Sequence, residues 1–178
     1  NSVAVFFANP VRNRANDVDY HYHQDPNFYY LTGFREPNSV LLIFSEDQNN
    51  ADDIFNELIF VQERDKLREM WNGKRLGPEG VKSKLGFKLA YTADKLTEIA
   101  PNFSTFDSVL FFDFKNDVRD NKGNVNDLFS LIEKFKIMSN YPIDFNPEKE
   151  KFYDVISLAP NENSANVAQV LKSNLRNR

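Results

Sequence analysis

Residues 20–43, YHYHQDPNFYYLTGFREPNSVLLI, constrain the fold of this chain more tightly than any other stretch. Tyr20 and Tyr22 alternate with His21 and His23, and Gln24 and Asp25 add hydrogen-bonding groups. Phe28, Tyr29, Tyr30 and Leu31 then form a bulky apolar block that stops at Thr32 and Gly33. Pro37 and Asn38 mark a turn. The run that follows, Val40, Leu41, Leu42, Ile43 and Phe44, is apolar at every position and bounded by turn residues. That is the pattern of a strand buried on both faces.

The rest of the chain supplies the partners such a strand needs. Residues 3–8 read as a first strand, followed by a polar loop over residues 9–19 that carries Arg12 and Arg14. Residues 46–53 form a turn rich in Asp and Asn, and residues 55–62 a further apolar strand. A short helix is expected over residues 64–71, with Asp65 and Arg68 spaced for an i,i+3 pair, and Gly73 and Gly77 bracket the basic turn Lys74-Arg75. Residues 78–86 read as a helix, 88–91 as a strand, and 92–100 as a helix capped by Thr92. A strand over 109–114 precedes an amphipathic helix signalled by Leu128, Phe129, Ile132 and Phe135. Residues 143–145 read as a short strand, and Asn146 with Pro147 opens a helix whose inner face holds Phe152, Val155 and Ile156. Val167, Val170, Leu171 and Leu175 recur at helical spacing, as if leading into a further domain. Alternating strands and helices specify an α/β layered domain.

Composition removes several functions. A chain of 178 residues with 41% hydrophobic content can close one core, and its 17 Phe make that core aromatic. A net charge of −4 and a pI of about 5.3 give no general attraction for nucleic acid or an anionic membrane. No apolar run approaches the roughly 18 residues that span a bilayer. The absence of cysteine rules out disulfides, thiolate metal sites and Cys nucleophiles within this chain. A cytoplasmic location is the simplest expectation, with export left open because a leader could have preceded Asn1. Nor does the sequence contain G-x-S-x-G, H-E-x-x-H, a P-loop or G-x-G-x-x-G, so no catalytic residue is assigned.

The remaining candidates each have an ordinary and a functional reading. His21 and His23 at i,i+2 on a strand would share a face and could offer two metal ligands, but without nearby carboxylates at ligand spacing they read as plain strand residues. No metal site is assigned. Arg14 and Asp17 read as a surface ion pair worth at most about 1 kcal/mol, or as site residues on a loop rich in polar groups. Trp71, the sole Trp, reads by itself as a core residue. Lys74 and Arg75 read as solvated or as steadying a domain contact, since a phosphate loop needs several glycines opening a helix. Asp113, Asp117 and Asp120 form a loop-like acidic cluster without a His beside it.

Arg14, Asp17, Tyr20, Tyr22, Gln24, Phe28, Tyr30, Leu31, Thr32, Gly33, Phe34, Glu36 and Pro37 follow the pattern R-x-x-D-x-x-Y-x-[YF]-R-Q-x-x-x-F-x-Y-L-T-G-[FW]-x-E-P, except that His23 stands where Arg is usual. Together with the block REMWNGKRLG at residues 68–77, this resembles the N-terminal domain of aminopeptidase P, within the creatinase and prolidase superfamily. The resemblance implies a three-layer α/β/α sandwich with a mixed sheet and a ribonuclease H-like motif. It implies a domain over residues 1–160 and the start of a linker helix over 161–178. The activity implied is removal of an N-terminal residue preceding proline, carried out elsewhere in a longer protein by two divalent metal ions, expected to be manganese, on two Asp, one His and two Glu. This chain would then hold no cofactor and would shape substrate access and contacts in a homo-oligomer, a dimer or tetramer. Trp71 would sit on the prolyl side of the pocket rim and Asp17 would reach the site of a neighbouring subunit, with Arg14, Tyr22, His23 and Gln24 in support. The superfamily also contains prolidase-type dipeptidases and inert modules that bind peptides or histones.

Overall fold

The computed structural model describes residues 1–50, 53–120 and 123–141. The strand expected at 143–145, the helix opened by Asn146 and Pro147, and the linker helix over 161–178 lie outside the described residues.

The first strand, β1 (Ser2–Phe7), lies inside a sheet rather than at its edge. It pairs antiparallel with β4 (Val40–Asn49) and parallel with β7 (Ser108–Phe111). β5 (Ile54–Val61) continues the sheet antiparallel to β4, and β6 (Ala90–Thr92) completes it parallel to β5. The order β6-β5-β4-β1-β7 is therefore mixed, as expected. A separate two-stranded ribbon, β2 (Asn13–Ala15) with β3 (Val18–Asp19), rises from what the sequence presents as a plain polar loop.

Strand parity divides the apolar residues between two layers. Val3 and Val5, Val40, Leu42 and Phe44, and Leu58 and Phe60 form one cluster with Leu96, Leu131 and Phe135. The last three belong to α4 (Leu96–Ile99) and α5 (Leu128–Met138). The alternate residues Ala4, Phe6, Leu41, Ile43, Ile59 and Val61 join Phe28, Leu31 and Val81 from α1 (Pro26–Thr32) and α3 (Gly77–Leu85). Helices thus cover both faces, which gives the three layers. Each Leu or Phe closed off completely stabilises the fold by about 1.5–3 kcal/mol relative to exposure. Phe135 is the hub of the first layer, with its ring 5.5 Å from Phe7, 5.3 Å from Phe103 and 5.4 Å from Phe111.

Several local expectations change. The block Phe28-Tyr29-Tyr30-Leu31 is a helix, because Asp25 accepts from the Asn27 and Phe28 amides, Pro26 stands in the first turn and Gly33 closes it in the left-handed region. Only Phe28 and Leu31 of that block face the core, and Tyr30 is 71% exposed. Residues 92–100 begin with a 3₁₀ turn (Ala93–Lys95) before α4, and Thr92 makes no side-chain cap. β4 runs on to Asn49, so the Asp- and Asn-rich turn is an extension of a hairpin. The helix expected at 64–71 is α2 (Lys66–Asn72), capped by Asp65, and the Asp65–Arg68 ion pair is present at 3.5 Å.

Candidate functional site

An open cleft of about 700 Å³ is lined by several stretches of chain, among them residues 118–120 and 123–128 before and at the start of α5. One wall is the segment from Pro10 through the ribbon to Tyr22, and a second is α2 with the loop after it, represented by Arg68, Lys74 and Arg75. Glu36, Pro37, Asn38 and Gln62 also line it.

The first wall is held by Gln24. Its Oε1 accepts from the backbone N–H of Asn9 at 3.0 Å and of Asp25 at 2.9 Å, and from the Tyr22 hydroxyl at 2.8 Å. Its Nε2 donates to the Glu36 carbonyl at 2.9 Å. One amide therefore ties the end of β1, the turn into α1 and the exit from α1 together. Burial pushes the Tyr22 phenol above its ordinary range, so it remains a neutral donor. The Asn9 amide donates to the His23 carbonyl at 2.9 Å, which fixes that backbone while leaving the ring exposed.

His21 and His23 do not lie on a strand, because residues 20–25 belong to no regular element. Their rings are nevertheless 5.1 Å apart, and among the described residues no third metal-ligating side chain joins them. Arg14 and Asp17 are exposed on the ribbon and form no ion pair with each other. The clamp on the ribbon is instead Arg12, which meets Asp117 at 2.5 Å. A second tie joins Lys115 to Asp25 at 3.2 Å and to the Asn9 side chain. These partners are separated by 90 to 106 residues, so no local sequence signal could have found them.

On the second wall, Arg64 holds Glu69 through two hydrogen bonds of 3.0 and 2.9 Å and draws that carboxyl below its ordinary range. α2 is fixed at its base, yet Leu67, Met70 and Trp71 point outward. Trp71 is 89% exposed, which corrects the core reading of this residue. After Gly73, the Leu76 amide donates to Glu36 Oε1 at 2.8 Å. Glu36 Oε2 is buried without a hydrogen-bond partner, and burial raises the pKa of this carboxyl against the opposing pull of Leu76 and Arg75. Gly77 is required where the loop enters α3: its φ is +61°, and a β-carbon would come within 2.7 Å of Arg64 Cγ.

Asn13 and Asp19, which flank Asp17, and Arg68 and Lys74, which flank Trp71, line one cleft, whereas Asp17 and Trp71 themselves are outside its lining. Tyr22 lines the same cleft and Gln24 braces it from behind, whereas the His23 ring is outside its lining.

The sequence profile of the family described as "Aminopeptidase P, N-terminal domain" matches residues 1–111. The chain is 38% identical over 101 residues to the Xaa-Pro aminopeptidase of Haemophilus influenzae, covering 57% of this chain and 22% of that protein. It is 34% identical over 110 residues to Homo sapiens Xaa-Pro aminopeptidase 3, covering 62% and 22% respectively. The structure of Escherichia coli aminopeptidase P with the inhibitor Pro-Leu superimposes with a TM-score of 0.55 at 25% identity, over 76% of this chain and 28% of that one. The chain spans about a fifth of the length of the curated relatives it matches.

Proposed function

This chain belongs to the aminopeptidase P N-terminal domain family, and from that membership we propose that it is the access domain of an enzyme that removes an N-terminal residue preceding proline. The observation that carries this reading is the cleft itself. Near neighbours of Asp17 and Trp71, two positions that the resemblance marks and that stand far apart in the chain, line one cavity.

In this reading Trp71 packs a flat ring against the pyrrolidine of the substrate, and its high exposure in the isolated domain is what a rim residue awaiting a substrate or a second domain would have. Asp17 with Arg14 acts at the tip of the ribbon, toward a neighbouring subunit of a dimer or tetramer. Tyr22 and Gln24 support the first wall through the hydrogen bonds described above, and His23 does so through its backbone carbonyl, which accepts from the Asn9 side chain. Among the described residues no three potential ligands converge, so these residues do not fit a metal pair. The divalent ions, proposed as manganese, belong to the remainder of a longer cytoplasmic protein. No helix among the described residues is long and apolar enough to cross a membrane.

The deciding experiment is hydrolysis of Xaa-Pro-Xaa peptides by the full-length protein with Mn²⁺ and with chelator. Release of the first residue, abolished by chelator, supports the reading. Cleavage confined to Xaa-Pro dipeptides would assign a prolidase-type dipeptidase instead, and binding of peptides without cleavage would assign an inert module.

A further inference from the structure

The cleft carries two cations that no carboxylate among the described residues engages. Lys74 and Arg119 line it without a hydrogen bond or ion pair among the described residues. Arg75 lines it as well, its guanidinium donating to the Glu63 carbonyl at 3.3 Å. The acids of the same lining are differently placed. Asp127 accepts from the Ser130 amide at 2.9 Å as the cap of α5, Glu36 holds the Leu76 amide, and Asp19 accepts from the Asn13 side chain at 3.3 Å. Arg75 already feels the Glu36 and Glu69 carboxylates, which leaves Lys74 and Arg119 as the lining cations to which no carboxylate among the described residues is bonded.

A second observation sets the direction of the ligand. Arg68, which lines the cleft, precedes Trp71 by three residues on α2, so the two side chains are neighbours on the helix surface. Lys74 follows Trp71 by three residues. A peptide whose proline rests on Trp71 has this cavity beside it, and a volume of about 700 Å³ is in the range that takes a small ligand.

We propose that the cleft binds the downstream end of the substrate peptide, with Lys74 and Arg119 taking its C-terminal carboxylate. The inference rests on the proposed role of Trp71 and adds a specificity the family membership does not contain. A carboxylate suits the lining better than a phosphate does. Asp19 and Asp120 repel a dianion, yet they can accept the amide N–H groups of an extended backbone next to a singly charged terminus. Short peptides with a free C-terminus are therefore the favoured substrates, and acidic termini steer toward the rim.

The test uses the full-length protein with Ala-Pro-Ala-Ala as the free acid and as the C-terminal amide. The acid should show a KM about fivefold below that of the amide, the size expected for a partly exposed charge pair. In the double substitution Lys74→Ala with Arg119→Ala the ratio should fall to about one, and restoring the charge through Lys74→Arg should recover part of it. A ratio near one in the unaltered enzyme, or a ratio that survives the double substitution, overturns the cleft while leaving the aminopeptidase intact. If neither peptide is cut, the aminopeptidase reading fails and binding decides the cleft: tighter binding of the acid than of the amide in calorimetric titration supports it, and equal affinity overturns it.

Discussion

In β1 every residue from Val3 to Phe6 is buried, whereas residues 11–20, which follow it within a few positions, are all exposed. The same contrast recurs across the molecule. Phe28, Phe34, Phe44, Phe60 and Phe135 are closed off almost completely, while Leu67, Met70 and Trp71 of α2 stand in solvent with Val18 and Tyr20 of the ribbon. The sheet and the cleft walls therefore have separable requirements. Packing of the two layers sets stability, and the walls need only be held in place by Gln24, Glu36, Arg12 and Lys115.

That separation can be broken in graded steps. Phe135→Ala removes the hub of the aromatic layer and should cost about 3–5 kcal/mol, read as a shift of the urea midpoint. A loss under 1 kcal/mol would mean the layer is not packed as described. Thr32→Val comes next. The Thr32 hydroxyl accepts from the buried Phe34 amide at 2.9 Å and donates to the Phe28 carbonyl at 2.6 Å, so its removal should cost about 1–3 kcal/mol in the same measurement.

Trp71→Ala probes the other side of the comparison. It should leave stability within about 0.5 kcal/mol, since little of the ring is buried, yet lower kcat/KM on proline-containing peptides by about tenfold in the full-length protein. Unchanged kcat/KM would remove Trp71 from the pocket rim. Glu36 lies where the two regions meet. Its folded pKa is raised above the ordinary 4.5, so the protonated form is the one the fold favours. Its contribution is complete below that ordinary value and is lost as pH rises through the raised one. Glu36→Gln should flatten this part of the stability profile in urea melts across the acidic range, and an unaltered profile would show that Glu36 titrates as an exposed carboxyl. Arg12→Ala should have the smallest effect, under about 1 kcal/mol and shrinking as salt is added, because the pair with Asp117 is partly exposed. A larger, salt-independent loss would make the ribbon part of the core.

The legibility of the sequence follows the same division. Strands β1, β4 and β5 announced themselves through apolar runs, and α5 through the spacing of Leu128, Ile132 and Phe135, because burial writes a period into the chain. α1 was harder to see. Aromatic residues are mediocre helix formers, and two of its tyrosines are exposed, so the helix rests on Asp25, Pro26 and Gly33 rather than on a period. The ribbon has neither a period nor apolar alternation. Trp71 and Asp17 could be picked out only by resemblance, while the ties through Lys115 and Asp117 depend on residues about a hundred positions away. The resemblance named Trp71 for the rim, but composition alone placed it in the core.

The interior position of β1 bears on how the protein can be made. This strand is synthesised before both of its partners: one flank waits for β4 and the other for Ser108–Phe111, about a hundred residues later. Until then an apolar strand with an open edge must be kept from pairing with other chains. Any shortened version ending before Ser108 would retain that exposed edge permanently, so aggregation of the product, rather than a merely weakened domain, is the expected fate of premature termination there.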